Sequence, residues 1–200
     1  MYTLISGSPK VFSSNSLNFL NIISKKLDNY NLFELKKDNY IDIINSINNS
    51  SVIVYSFPLY VDSPTSLTLD FLDYLMDNKI DLNNKNVYVV INCGFREGKQ
   101  NITAINIMKN WCEKTNAVYN GAILIGAGEI VGKEKYKFVS KKALKKINKF
   151  SDIIRNKECV DDIITTMDLL NNQIYCYLAN KSWTKNGKKN GLKIEDLKTK

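Results

Sequence analysis

The sequence predicts an α/β three-layer sandwich: a five-stranded parallel sheet in the order 2-1-3-4-5 with an added C-terminal helix. Three observations point there. Short apolar runs alternate with segments whose apolar residues recur every three or four positions. Two of the runs, SVIVYSF (51–57) and NVYVVINC (86–93), are nearly continuous, as strands covered on both faces must be. The helical segments between them are long enough to make the right-handed crossovers that parallel strands require. The order 2-1-3-4-5 is the common solution for five such strands. It places ligands at the carboxyl ends of the strands, near the switch between strands one and three.

The elements follow in order. YTLIS (2–6) is a first strand, and Leu17, Leu20, Ile23 and Leu27 then stripe a helix. NLFEL (31–35) is a short strand and 38–49 a helix. After the strand at 51–57, residues 66–78 place Leu67, Phe71, Leu72 and Leu75 on one helical side. The strand at 86–93 is followed by a helix marked by Ile102, Ile105, Met108 and Cys112. VYNGAILIGAG (118–128) supplies the fifth strand, and Val139, Ala143, Ile147 and Phe150 stripe the next helix. Ile163, Met167, Leu170, Ile174 and Leu178 predict a last helix at about 160–180. The lysine- and glycine-rich tail from Ser182 offers Trp183 and Leu192 as anchors. No linker, repeat or low-complexity tract divides the chain. It reads as one domain over 1–200, with a core over 1–150 and a helix and basic tail over 151–200.

Two hundred residues can bury a proper core, and 44% apolar with 24% charged residues is ordinary globular composition. No apolar run approaches the ~20 residues needed to cross a bilayer, and the strand starting at Tyr2 leaves no room for a signal peptide, so a cytoplasmic protein is expected. The four cysteines are far apart and there is no histidine. That argues against zinc, iron–sulfur clusters, secreted disulfide scaffolds and histidine-dependent triads, and it favours a bound organic cofactor. The net charge of +8 raises nucleic acid as a partner. However, the lysines of KEKYKFVSKKALKKINK suit the wet face of a helix, Lys, Asn and Ile are all abundant as in AT-rich coding, and no arginine cluster accompanies them. Neither a nucleic acid nor a membrane is expected as partner.

The strand-to-helix loops should carry the chemistry. LISGSPKVFSSNSLNFL (4–20) places Gly7, Ser8, Ser13, Ser14, Asn15 and Ser16 between the first strand and the first helix. Gly7 permits a tight exit, Ser14 or Asn15 can cap the helix, and the N–H groups at its start suit an anion. The loop lacks both the Walker lysine pattern and GxGxxG, so ATPase and dinucleotide-fold readings lose ground. A plain capped, serine-rich turn is the simpler reading. In SFPLYVDSPTS (56–66), Pro58 stops the strand, and Leu59, Tyr60 and Val61 put apolar bulk where a polar turn is usual. This suits one wall of a pocket for a flat ring, or simple packing on the sheet edge; Ser63 to Ser66 can cap the next helix. In NCGFREGKQN (92–101), Gly94 lets backbone approach a ligand closely, while Cys93 reads as a small buried residue without an acid–base partner. IGAGE (125–129) puts two glycines on the same rim and is a weak signal alone.

Together and in this order, the loops resemble those of the NADPH-dependent FMN reductase family, on the flavodoxin-like fold. GSPK…SSNS is similar to the family's phosphate loop, FPLYVDSPTSLTLDFLD to its P-x-Y segment and following helix, and NCGFREGKQN to its loop beside the flavin ring. The resemblance covers roughly residues 1 to 150, more softly the rest. It implies that Ser8, Lys10, Ser14, Asn15 and Ser16 hold the FMN phosphate, with Lys10 where many relatives have arginine. It implies that Pro58, Leu59, Tyr60 and Val61 flank the isoalloxazine. Asn92, Cys93, Gly94, Phe95, Arg96 and Glu97 would lie along its pyrimidine edge, Arg96 equally suiting a solvent or interface role. The family's acidic residue in the third strand's loop is not clear here, and the cluster-bearing cysteine motif of some relatives is missing, which points to the plain FMN form. The resemblance further implies hydride transfer from NADPH or NADH through FMN to a small-molecule acceptor such as a flavin or quinone, and a homodimer roofing the flavin. A flavodoxin-type electron carrier, or a flavin-free protein that kept the fold, remain the alternatives.

Overall fold

In the computed structural model the described residues are 1–10, 14–131, 133, 136–167, 171–193 and 195–197. The chain divides into two compact units, Met1–Met167 and Asp168–Lys200.

The first unit alternates strands and helices: β1 Tyr2–Ser6, α1 Asn15–Ser24, β2 Tyr30–Glu34, α2 Tyr40–Asn48, β3 Val52–Pro58, α3 Ser66–Asp77, β4 Asn86–Asn92, α4 Ile102–Thr115, β5 Val118–Ile125, α5 Lys137–Asn156 and β6 Ile163–Thr165. All the pairings are parallel, in the order β2-β1-β3-β4-β5-β6. The sheet thus contains the expected 2-1-3-4-5 arrangement and adds a sixth strand at the β5 edge.

That strand corrects the helix expected at about 160–180. Ile163, Ile164 and Thr165 pair with Ile123–Ile125, and the α-helix that follows, α6, runs over Asn172–Lys189 of the second unit. The apolar residues at 163 and 167 happen to match a helical repeat. The run Ile163–Ile164–Thr165–Thr166 is wholly β-branched, which stiffens χ1 and suits a pleated surface. Asn171 starts α6 by accepting the Ile174 N–H at 2.8 Å. Leu170, part of the expected stripe, lies outside the described residues. Trp183 and Leu192, proposed as anchors, are exposed.

Alternating side chains along the inner strands feed two apolar layers. One packs Ile53, Tyr55, Val89 and Ile91 against α2, α3 and α4, with Trp111 edge-on to Tyr55. On the other, Tyr88 of β4 meets Phe150 of α5 edge-on, and α1 packs beside α5. Burying one such aromatic stabilises the fold by about 1.5–3 kcal/mol, so the central strands are the anchor from which every loop at their carboxyl ends is hung. No helix among the described residues is long and apolar enough to cross a membrane.

Candidate functional site

Parallel strands bring four loops to one edge of the sheet, and a cleft of about 160 Å³ opens between them. Ser8, Lys10, Ser14, Asn15 and Ser16 line it from the β1–α1 loop and the first turn of α1, Pro58, Leu59 and Tyr60 from the end of β3, Asn92, Cys93 and Gly94 from the end of β4, and Glu129 from the loop after β5.

The serine side is built by close approach and capping. A Cβ at residue 7 would lie 2.0 Å from Thr68 Oγ1, so only glycine lets β1 exit against α3. Thr65 Oγ1 donates to the Gly7 carbonyl at 2.6 Å while capping α3 through the Thr68 N–H. Ser14 caps α1 by accepting the Leu17 N–H at 3.1 Å. The N–H groups of Asn15 and Ser16, in the first turn, have no intrahelical acceptor. Val11, Phe12 and Ser13 lie outside the described residues.

Opposite stands the β3–α3 loop. Leu59 N–H donates to the Asn92 carbonyl at 2.8 Å, fastening it to β4. Tyr60 and Ser63 exchange two backbone hydrogen bonds at 3.1 Å around Val61 and Asp62, whose φ values are 50° and 57°. That is the backbone of a tight mirror-image turn. Its tip, Val61, is 98% exposed and does not line the cleft.

The third loop is clipped to the fourth. Cys93 N–H donates to the Ile125 carbonyl, Gly128 N–H to the Cys93 carbonyl and Ala127 N–H to the Phe95 carbonyl, at 3.0, 2.9 and 2.6 Å. β6 braces the assembly from behind, since Met167 N–H donates to the Arg96 carbonyl and Glu97 bridges to Thr166. Cys93 is buried, and burial pushes its thiol above the usual cysteine range despite hydrogen bonds to the Phe95 carbonyl and the Asn101 amide. A protonated thiol of this kind is a poor nucleophile. Around Gly94 an added Cβ would meet nothing within 4 Å, so the backbone there is open to close approach.

Of the residues that the family resemblance assigns to the cofactor, Val61, Phe95, Arg96 and Glu97 do not line the cleft; the rest do. Phe95 is 56% exposed at the rim, while Arg96 and Glu97 pair with each other at 2.6 Å. Glu129 is the lining residue not singled out. It was visible as the last letter of IGAGE, but nothing local tells that the loop after β5 folds back over the end of β4.

The cleft offers hydroxyls, backbone N–H groups and one ammonium at its serine end, which suits an anion such as a phosphate monoester. Its volume is below the roughly 300–1,000 Å³ of pockets that enclose a whole small molecule. It therefore encloses only part of such a molecule and leaves the rest over its rim. Among the described residues no group of three or more Cys, Asp or Glu side chains is arranged to hold a metal ion.

No protein-family model matches the sequence, and no curated protein matches it. Solved structures do match. An NADPH-quinone reductase from P. pentosaceus is 16% identical, with a TM-score of 0.58 over 76% of this chain and 97% of that one. An FMN-dependent NADH-azoreductase from Bacillus anthracis is 12% identical, with 0.57 over 78% and 99%. A flavodoxin from Streptococcus pneumonia is 14% identical, with 0.55 over 78% and 99%. At such identities the likeness speaks for architecture, and with six parallel strands wound in this order the chain has the flavodoxin-like fold.

Proposed function

We propose that the chain is an FMN-dependent NAD(P)H oxidoreductase whose flavin-binding part is the unit Met1–Met167. The observation that carries this reading is the cleft itself: one opening in which a serine-lined helix start faces Leu59 and Tyr60 across the open backbone of Gly94. The neighbours that use FMN with a nicotinamide nucleotide support the same chemistry.

Ser8, Ser14, Ser16, Lys10 and the first-turn N–H groups of α1 hold the phosphate, with the helix dipole adding to the ammonium charge. Leu59 and Tyr60 shield one face of the ring from water. The backbone around Gly94 meets the ring's polar edge, held in place by the hydrogen bonds from Ala127 and Gly128. When bound, FMN supplies the hydride acceptance and donation that a chain without histidine cannot provide from its side chains. Phe95 and Val61, exposed at the rim, form part of the surface on which the nicotinamide of NADPH or NADH, and then a small acceptor such as a flavin or quinone, stacks. A second copy of the chain completes the roof. All four cysteines are unpaired, which suits the reducing cytoplasm.

The test is spectroscopic. Protein mixed with FMN and freed of excess should keep a flavin spectrum, and NADPH or NADH added without oxygen should bleach it within seconds. A retained spectrum that neither nucleotide bleaches makes the protein a carrier. Failure to retain flavin removes the redox assignment.

A further inference from the structure

We propose that Asn92 is a positioning residue, placed one hydrogen bond behind the ligand, which makes Ser16 an obligate donor to the anion held at the start of α1. The inference rests on the flavin reading for the identity of that anion; the hydrogen-bond chain stands on geometry alone.

Asn92, the last residue of β4, is 4% exposed, and Ser16 is 1% exposed. The Asn92 amide nitrogen lies 3.0 Å from Ser16 Oγ and 3.2 Å from the Phe57 carbonyl oxygen. A carbonyl only accepts, so the side of the amide facing both atoms is the NH₂. Ser16 Oγ therefore accepts from Asn92, and its own hydrogen cannot point back at the amide. Among the described residues none takes that hydrogen, and Ser16 lines the cleft.

A turned-over amide would set its oxygen against the Phe57 carbonyl oxygen, so the NH₂ stays on that side. Gly128 lies against the amide, and a Cβ there would sit 2.8 Å from Asn92 Oδ1 and 2.9 Å from Asn92 Cβ. Ser16 is pinned as well, because Ser56 Oγ donates to its carbonyl at 3.1 Å. Two neighbouring strands thus grip one helical residue, β3 by its backbone and β4 by its side chain. What remains is a buried hydroxyl with an uncommitted proton at the floor of an anion-shaped cleft. Such a donor rewards a group made only of acceptors, a phosphate above all, and does so without reorienting when the ligand arrives. Asn92 accordingly acts on the phosphate end through Ser16, its NH₂ group being committed to Ser16 and the Phe57 carbonyl.

The experiment is a double-mutant cycle on Ser16→Ala, Asn92→Asp and the pair, with unfolding midpoints recorded for each. Asp can accept but not donate, so it captures the Ser16 hydrogen; because its charge also repels a phosphate, the effect of Ser16→Ala within the Asn92→Asp background, and not the loss in Asn92→Asp alone, reads the coupling. Affinities for FMN and riboflavin are measured by fluorescence quenching, and their ratio reports the phosphate alone. Each single variant should lower the ratio about 10–100-fold, the range of one hydrogen bond to a charged group. The pair should fall no further than Asn92→Asp alone. A ratio unchanged in both single variants, or full additivity in the pair, overturns the inference and leaves the flavin reading intact. Should Asn92→Asp not fold, Ser16→Ala with Gly128→Ala, which displaces the amide without changing it, completes the same cycle. If the wild type binds neither flavin, the flavin reading fails and inorganic phosphate becomes the probe. A rise in the wild-type midpoint that Ser16→Ala and Asn92→Asp both abolish supports the inference; any other pattern overturns it.

Discussion

The two edges of the sheet bend the chain into the same unusual backbone region with different residues. At the edge where strands begin, Lys79, Asn84, Asn116 and Lys157 have φ between 52° and 59°. Three of them end helices in one way: Ile80 N–H reaches the Leu75 carbonyl, Ala117 N–H reaches Cys112, and Glu158 N–H reaches Ile153, each after a left-handed residue. That closes helix carbonyls which would otherwise lack donors. At the edge where strands end, the left-handed residues are Val61, Asp62 and Ala127. A β-branched residue there is a steric outlier, and Val61 buries almost nothing in return. One edge is built to finish helices cheaply; the other keeps strain beside a cleft, where strained backbone is found when a ligand or partner uses it.

The largest effects come from two glycines, one towards each edge. At Gly126 a Cβ would lie 2.3 Å from the Arg96 carbonyl oxygen, and at Gly121, φ 125°, 2.4 Å from that of Val160. Neither backbone can retreat, so Gly126→Ala and Gly121→Ala should each cost about 2–3 kcal/mol in urea unfolding. Only Gly126→Ala should also weaken flavin binding by the folded fraction, because it separates the two clipped loops. Equal losses of binding would erase the distinction between the edges.

Next in size is an effect of the core between them. Burial pushes the Cys112 thiol up to about 12 from the ordinary cysteine value of 9.0. Below pH 9 the folded and unfolded thiols are both protonated and the stability is fully present. Above it the unfolded chain releases a proton that the folded one retains, so stability is lost as pH rises towards 12, by about 2 kcal/mol at pH 10.5. Buried Tyr55, raised well above 10, adds to the fall at higher pH with the same sign. Unfolding at pH 8 and pH 10.5 should show a smaller difference in Cys112→Ala than in the wild type. An unchanged difference would mean that the thiol is not what the alkaline fall reports.

The smallest effects contrast the strained residues themselves. Val61→Asn, which suits the left-handed region, should raise stability by about 1 kcal/mol and weaken flavin binding or turnover several-fold. Asn116→Val should lower stability by about 1 kcal/mol and leave binding alone. Thermal midpoints and flavin titrations on the two variants check both halves; a Val61→Asn that binds as tightly as the wild type would detach the strain from the cleft.

Where the structure agrees with the sequence reading, the signal was local. The strands 51–57 and 86–93 are legible because burial on both faces demands an unbroken apolar run, and Ser14 is legible as a cap because its bond spans three residues. β6 was not: three residues carry too little pattern, and their strand identity comes from Ile123–Ile125 alongside. Nor was it legible that Glu129 joins the cleft, since that depends on the loop after β5 meeting the end of β4.

By itself the amino-acid sequence determined the alternation of strand and helix in the first unit up to α5, the Ser14 cap and the character of the four rim loops, because each follows from hydrogen bonds and apolar spacing within a few residues. Only the tertiary structure decided the sixth strand, which loop residues share the cleft, and the direction of the Asn92 amide. Those depend on which carbonyl or side chain from a distant segment arrives within 3 Å, a property of packing that no local window contains.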